Sequence, residues 1–373
     1  MSEYLLPLEK PQPDVEAFVR SMKGEIVPAR VPFVEYIVDD VLMKPLLERM
    51  GRSWVDPPAE GTHGTADARP SRDPAYWDNF IAFWHHMGYP YVRLEVSLGF
   101  PYAHRAVADT ATGVEADRSW PDQHHGKITS WDDFESYPWP QVENFDFWPF
   151  EYLASHLPEG MGLIANHAGG PLEWTSHILS YEGLSMMLYD DPALVQAICD
   201  RIGGLSLEVY KHLVELPNMV AVFPGDDMGF KTGTLIHPDH LRRLNLPWHQ
   251  KYAALAHEHG LLYFLHSCGQ LSAIMDDLID VVGVDAKHSY EDAICPVTEM
   301  YERYHERMGL LGGIDIDVLT RASEPELRAY VRRVLDVCAS RGRYALGSGN
   351  SVPSYIPLDN YLIMLDEGLR WGK

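Results

Sequence analysis

Short apolar runs begin near residues 31, 91, 161, 219, 261, 284, 310 and 344, and nearly every one is followed by a stretch with apolar residues at helical spacing. Strands that alternate with helices cannot be joined by tight hairpins, so neighbouring strands must run parallel. Parallel strands are covered by helices on both faces and read as continuous apolar runs, as Leu261-Leu-Tyr-Phe-Leu265 does. Eight such units in 373 residues predict an α/β fold of the (β/α)8 TIM-barrel class, built as a single domain over 1–373. A doubly wound open sheet is the alternative. It is weakened because no glycine-rich dinucleotide or phosphate loop follows any of the strands.

The rhythm breaks at 101–150, after the second strand. This stretch holds Trp120, Trp131, Trp139 and Trp148 among prolines and acids. It reads as an aromatic-rich insertion, either a lid over a site or a packing layer that closes one end of the barrel. Elsewhere the helix signals are plain. Ser323-x-x-Glu326 is a capping box, and Pro238 and Gly260 bracket a helix over 238–259. The spacing also predicts single helices over 171–188 and 272–281.

With 54 acidic and 30 basic residues the formal net charge is −24. That sign argues against nucleic acid and against an anionic membrane surface as partners, and points to a small-molecule substrate. No apolar run approaches the roughly 20 residues of a membrane span. The first residues lack the basic and apolar regions of a secretory signal. Four cysteines in this length are no disulfide framework, so the cytoplasm is the expected compartment. Barrels of this kind often pair. A homodimer is compatible with the sequence, although no apolar surface stripe marks an interface.

In a barrel, chemistry collects just past the C-terminal ends of the strands. Polar residues stand there after most strands. His266 and Cys268 are one residue apart, and an imidazole with a thiolate suits zinc. His288, with Glu291 close behind, follows the next strand and could complete a ligand set. Asp226 and Asp227 follow the strand at 219; adjacent carboxylates suit acid–base work, as does Glu95. Arg93 and Glu95 lie two apart on one face of an apolar strand, where Arg93 could hold a substrate carboxylate. His167 and Asn350 close the list as substrate-binding candidates. The pairs His85-His86, His124-His125 and His257/His259 lack metal-site spacing and read as structural. Cys199 and Cys338 read as core residues.

Leu265-His266-Ser267-Cys268-Gly269, Gly312-Gly313-Ile314-Asp315, Gly347-Ser348-Gly349-Asn350, Pro357-Leu358-Asp359-Asn360, Ala168-Gly169-Gly170-Pro171 and Asp190-Asp191-Pro192 together resemble the uroporphyrinogen decarboxylase superfamily. The resemblance runs from about 28 to 370 and implies a (β/α)8 barrel. One branch, the cofactor-free decarboxylases, grips substrate with an N-terminal Arg-Gln-Ala-Gly-Arg segment. This chain has Lys23-Gly-Glu-Ile-Val-Pro-Ala-Arg30 there. The other branch contains methylcobalamin:coenzyme M methyltransferases, which hold zinc through a His-x-Cys pair and a distant Cys and use it to activate a thiol. His266 and Cys268 match the pair, but Asn350 stands in the turn of the distant Cys. The third ligand is therefore open, with His288, Glu291 and Cys295 as candidates. The resemblance implies a zinc-dependent methyltransferase with a methylcorrinoid as co-substrate, presented by a corrinoid protein as partner. The alternatives are a metal-free decarboxylase using Asp226 or Glu95 with Arg93, and a non-catalytic barrel that binds a corrinoid or metabolite.

Overall fold

A computed structural model describes residues 4–56, 70–108 and 117–372. Its centre is a curled parallel sheet of seven strands whose spatial order is their chain order. These are β1 (Tyr91–Val96), β2 (Gly162–His167), β3 (Met219–Val222), β4 (Leu262–His266), β5 (Ala286–His288), β6 (Gly309–Leu311) and β7 (Tyr344–Ala345). The strands are short and almost wholly buried, which is why their sequences lack polar–apolar alternation.

The run predicted as a strand from 31 to 37 does not form a regular strand. It makes isolated parallel bridges beside β7, Phe33 to Leu346 and Val38 to Val352. Pro32 contributes only its carbonyl, accepting from Leu346, so no continuous ladder can form. In this way residues 33–38 lie along the free edge of β7.

Three helix expectations need correction. The predicted helix over 171–188 is two, α1 (Pro171–Leu179) and a second over Tyr181–Asp190, broken where Ser180 takes φ 64°. The helix over 238–259 starts with an α turn, Pro238–His240, and widens into a π turn, Leu241–Asn245, before α3 (Leu246–Glu258). Pro247 lacks an N–H for the ordinary ladder, and the π turn accommodates it. The span 272–281 starts with a turn over 272–274 and is helical from 275 on, widening into a π-helix at Asp277–Val282.

Between β1 and β2 the chain makes a hairpin, His104–Ala108 against Asp117–Pro121, then short helices at Trp131–Ser136 and Trp148–His156. Residues 109–116 of this stretch lie outside the described residues. No helix among the described residues is long and apolar enough to cross a membrane. Cys199 and Cys338 are buried, and the Cys199 thiol donates to Leu244 O at 3.1 Å.

Glycine is required inside α2 (Pro192–Leu213). A Cβ on Gly203 would lie 2.2 Å from the Trp248 ring, which is held by Asp200 and overlain by Lys251. Alanine would gain about 1 kcal/mol in helix propensity. The clash outweighs that gain, so Gly203→Ala is expected to lower stability by about 1–3 kcal/mol in denaturant unfolding. A rise in stability would show that Trp248 moves freely.

Candidate metal and catalytic site

β4 delivers the central pair. Its last residue is His266, and the chain then turns through Ser267 and Cys268 to Gly269, which takes φ 83° and lies against the Gly229–Phe230 backbone. The Cys268 thiol lies 3.4 Å from His266 Nε2. From the turn after β3, Asp227 Oδ1 accepts the Cys268 N–H at 2.9 Å and lies 3.7 Å from the same His266 nitrogen. These three donor atoms all fall within 4.8 Å of one another.

The hydrogen-bond chain behind His266 sets its tautomer. His288 Nε2 faces the Ser348 carbonyl at 3.0 Å, and a carbonyl only accepts, so this nitrogen carries the proton. Burial drives the His288 pKa down to about 3, so the ring is neutral and its Nδ1 is an acceptor. That Nδ1 is 2.8 Å from His266 Nδ1, which must therefore donate. His266 Nε2 is left with a lone pair aimed at Cys268 and Asp227. Burial, then the His288, Lys287 and Arg93 neighbours, hold His266 well below its usual pKa, which keeps that lone pair free. A metal-binding imidazole with its other N–H held in the second layer has this form.

Packing reinforces the pair. The Tyr36 ring stacks on His266 with centroids 4.2 Å apart and 22° between planes. Gly225 must lack a side chain, because a Cβ would sit 2.5 Å from the Tyr36 hydroxyl. Asn350 Nδ2 donates to Cys268 Sγ at 3.3 Å. Burial pushes the Cys268 thiol well above its usual pKa, and the Asp227 carboxylate adds to this. Without a cation the pair is thus a neutral thiol beside a neutral imidazole. A bound divalent ion would reverse that balance.

The adjacent aspartates face different ways. Asp227 is partly exposed at the site, whereas Asp226 is fully buried. Asp226 accepts from the Leu172 and Glu173 N–H groups of the first turn of α1, from Asn245 Nδ2 at 2.7 Å and from His249 Nε2 at 2.8 Å. It ties α1 and α3 to the turn after β3. Glu173, in that first turn of α1, was not singled out in the sequence. Burial and then Asp227, Asp226 and Glu95 raise its pKa strongly, so it holds a proton near neutrality.

Arg93 and Glu95 form a buried pair at 2.5 Å. Glu95 also accepts from Tyr36 Oη and Asn166 Nδ2, and Arg93 donates to the Tyr36 and Phe223 carbonyls. The Arg93 guanidinium lies 3.5 Å over the Tyr36 ring, completing a stack of Arg93, Tyr36 and His266. His167 accepts from Leu98 N–H on Nε2 and faces Gly169 O with Nδ1, so both nitrogens brace the main chain. Glu291 and Cys295 line a small hollow of about 20 Å³ with Lys287. They stand outside the three-donor cluster. The histidine pairs set aside above make local bonds, such as His86 to Leu8 O, His124 to Glu182 and His257 to Asp285.

The donor set fits zinc: one imidazole lone pair, one thiol and one carboxylate. Holding an ion, these three would leave a fourth position for substrate.

The sequence matches the profile of the family described as uroporphyrinogen decarboxylase (URO-D) over residues 127–370. No curated protein matches the chain. Among solved structures, a methyltransferase from Methanosarcina mazei is similar with TM-score 0.66 and 17% identity, covering 96% of this chain and 98% of its own. A B12-independent methionine synthase from Shewanella sp. W3-18-1, in complex with selenomethionine, is similar with TM-score 0.51 and 11% identity, covering 92% and 97%. At such identities the likeness is one of fold.

Proposed function

The chain belongs to the uroporphyrinogen decarboxylase family, and from that membership we propose that it is a zinc-dependent methyltransferase whose acceptor is a thiol. The observation that carries this is the convergence of Asp227, His266 and Cys268 around the freed His266 lone pair. In this reading Asp227 is the third ligand, in place of the cysteine that Asn350 replaces. His288 is a brace, since both its nitrogens are engaged. Two proteins of the same fold are by name a methyltransferase and a methionine synthase, which supports methyl transfer.

Zinc held by these residues supplies Lewis acidity that makes a bound thiol acidic near neutral pH. The remaining work is done by the chain. Glu173, already holding its proton near neutrality, is a neutral acid beside Asp226 and Asp227 and not the base, so the thiol proton leaves to solvent. Asn350 steadies Cys268 Sγ through its amide. Glu95 and Arg93 neutralise each other beneath the site and keep Tyr36 flat against His266. The methyl donor in this reading is a methylcorrinoid, presented by a partner protein. The chain is read as an eight-stave barrel, with residues 33–38 as the eighth stave and the described segments 101–108 and 117–150 as a lid over the strand ends.

The test is methyl transfer from methylcobalamin to a panel of small thiols, followed by the corrinoid absorbance. Turnover should vanish on chelation and return with added zinc. Turnover that survives chelation in full would overturn the reading.

A further inference from the structure

Glu35 is fully buried, and no cation pairs with it among the described residues. Its Oε1 accepts the Ser348 N–H at 2.8 Å, and its Oε2 is 2.5 Å from the Ser348 hydroxyl. The titratable groups within its electrostatic reach are the phenols of Tyr89, Tyr91, Tyr344 and Tyr361. Burial pushes the carboxyl up to about 8, so it is a neutral acid at neutral pH.

Ser348 sends two arms to the site. Its carbonyl receives the His288 N–H, and His288 in turn receives the His266 N–H. Its hydroxyl lies 3.1 Å from the Asn350 carbonyl, and the Asn350 amide reaches Cys268 Sγ. The Ser348 hydroxyl has a single proton and two acceptors in range. When Glu35 is the neutral acid, its own O–H donates to Ser348 Oγ, and the serine proton is released to the Asn350 carbonyl. Every group is then satisfied. Gly312 shows how tightly this is packed, since a Cβ there would lie 2.1 Å from Ser348 O and 2.8 Å from His288 Nε2.

We propose that Glu35 is a positioning residue for the His266–Cys268 pair: through the main chain and hydroxyl of Ser348 it steadies His288 behind His266 and Asn350 beside Cys268. The proposal rests on reading that pair, with Asp227, as metal ligands.

Cobalt(II) titration tests it, because a thiolate charge-transfer band and the d–d envelope report affinity and ligand geometry without turnover. Glu35→Ala is expected to weaken cobalt binding about 10- to 100-fold and to change the d–d envelope, the size typical of outer partners of metal ligands. Glu35→Gln, which can replace the neutral acid bond for bond, should stay within about 3-fold of wild type. An alanine variant with wild-type affinity and spectrum would overturn the proposal, as would a glutamine variant as weak as the alanine one. If Glu35→Ala does not fold, Ser348→Ala cuts the hydroxyl arm alone. A weaker cobalt complex then supports the proposal, and an unchanged one overturns it. If the wild-type protein binds no cobalt, the metal reading fails on its own. The positioning role is then read from the rate of Cys268 alkylation followed by peptide mass, where a several-fold change in Glu35→Ala supports it and equal rates overturn it.

Discussion

Protein purified without chelators is expected to carry about one zinc per chain, and Cys268→Ser less than about a tenth of that, because the thiolate is the softest donor in the set. His266→Ala should do the same, since it removes the nitrogen that Cys268 and Asp227 both face. Asp227→Asn should retain a reduced share, because an amide oxygen can replace the carboxylate oxygen without its charge. Elemental analysis of the three variants beside wild type checks the order. The fold should survive Cys268→Ser and Asp227→Asn: Asp227 is partly exposed, and Cys268 is a small side chain at the end of a turn. Equal zinc in wild type and Cys268→Ser would remove the thiol from the centre and move attention to the hollow that holds Lys287, Glu291 and Cys295.

The neighbouring aspartate should behave in the opposite way. Asp226→Ala is expected to cost about 3–5 kcal/mol of stability, the range for removing one partner of a buried pair. It strands His249 and Asn245 and leaves two N–H groups at the start of α1 without an acceptor. Asp227→Ala should change stability by less than about 1 kcal/mol, as partly exposed charges do. Denaturant unfolding of the two variants side by side makes the comparison. If both lose the same stability, the division into a structural and a site-facing aspartate is wrong.

That division marks where reading the sequence stops. The parallel sheet was legible because its strands are short, apolar and separated by helices with clear caps, as at Ser323 and Glu326. Apolar periodicity could not foresee the break at Ser180, and it does not register the missing N–H of Pro247 that the π turn accommodates. At the site, the residue types announced themselves after each strand, but their orientations did not. Asp226 and Asp227 are chemically identical, and only the turn decides that one caps α1 while the other meets Cys268. The tautomer of His266 depends on His288 and on the carbonyl of Ser348. No spacing rule reaches that far. Arg93 looked like a substrate anchor because a charge in an apolar strand needs a reason. The structure supplies one internally, in Glu95 and the Tyr36 ring.

The contact between residues 33–38 and the last strand bears on how the protein is made. Glu35 and Ser348 are separated by 313 positions. During synthesis Glu35 emerges early and waits for almost the whole chain before its partner appears. Contacts of such long range form late, after the local strand–helix units are in place. His266 and Cys268 therefore exist on the nascent chain before Ser348 arrives to hold His288 behind the His266 imidazole. If the pair takes a metal as proposed, its acquisition is a closing event of folding, and a chain halted short of Ser348 would present the two residues without the framework that orients them.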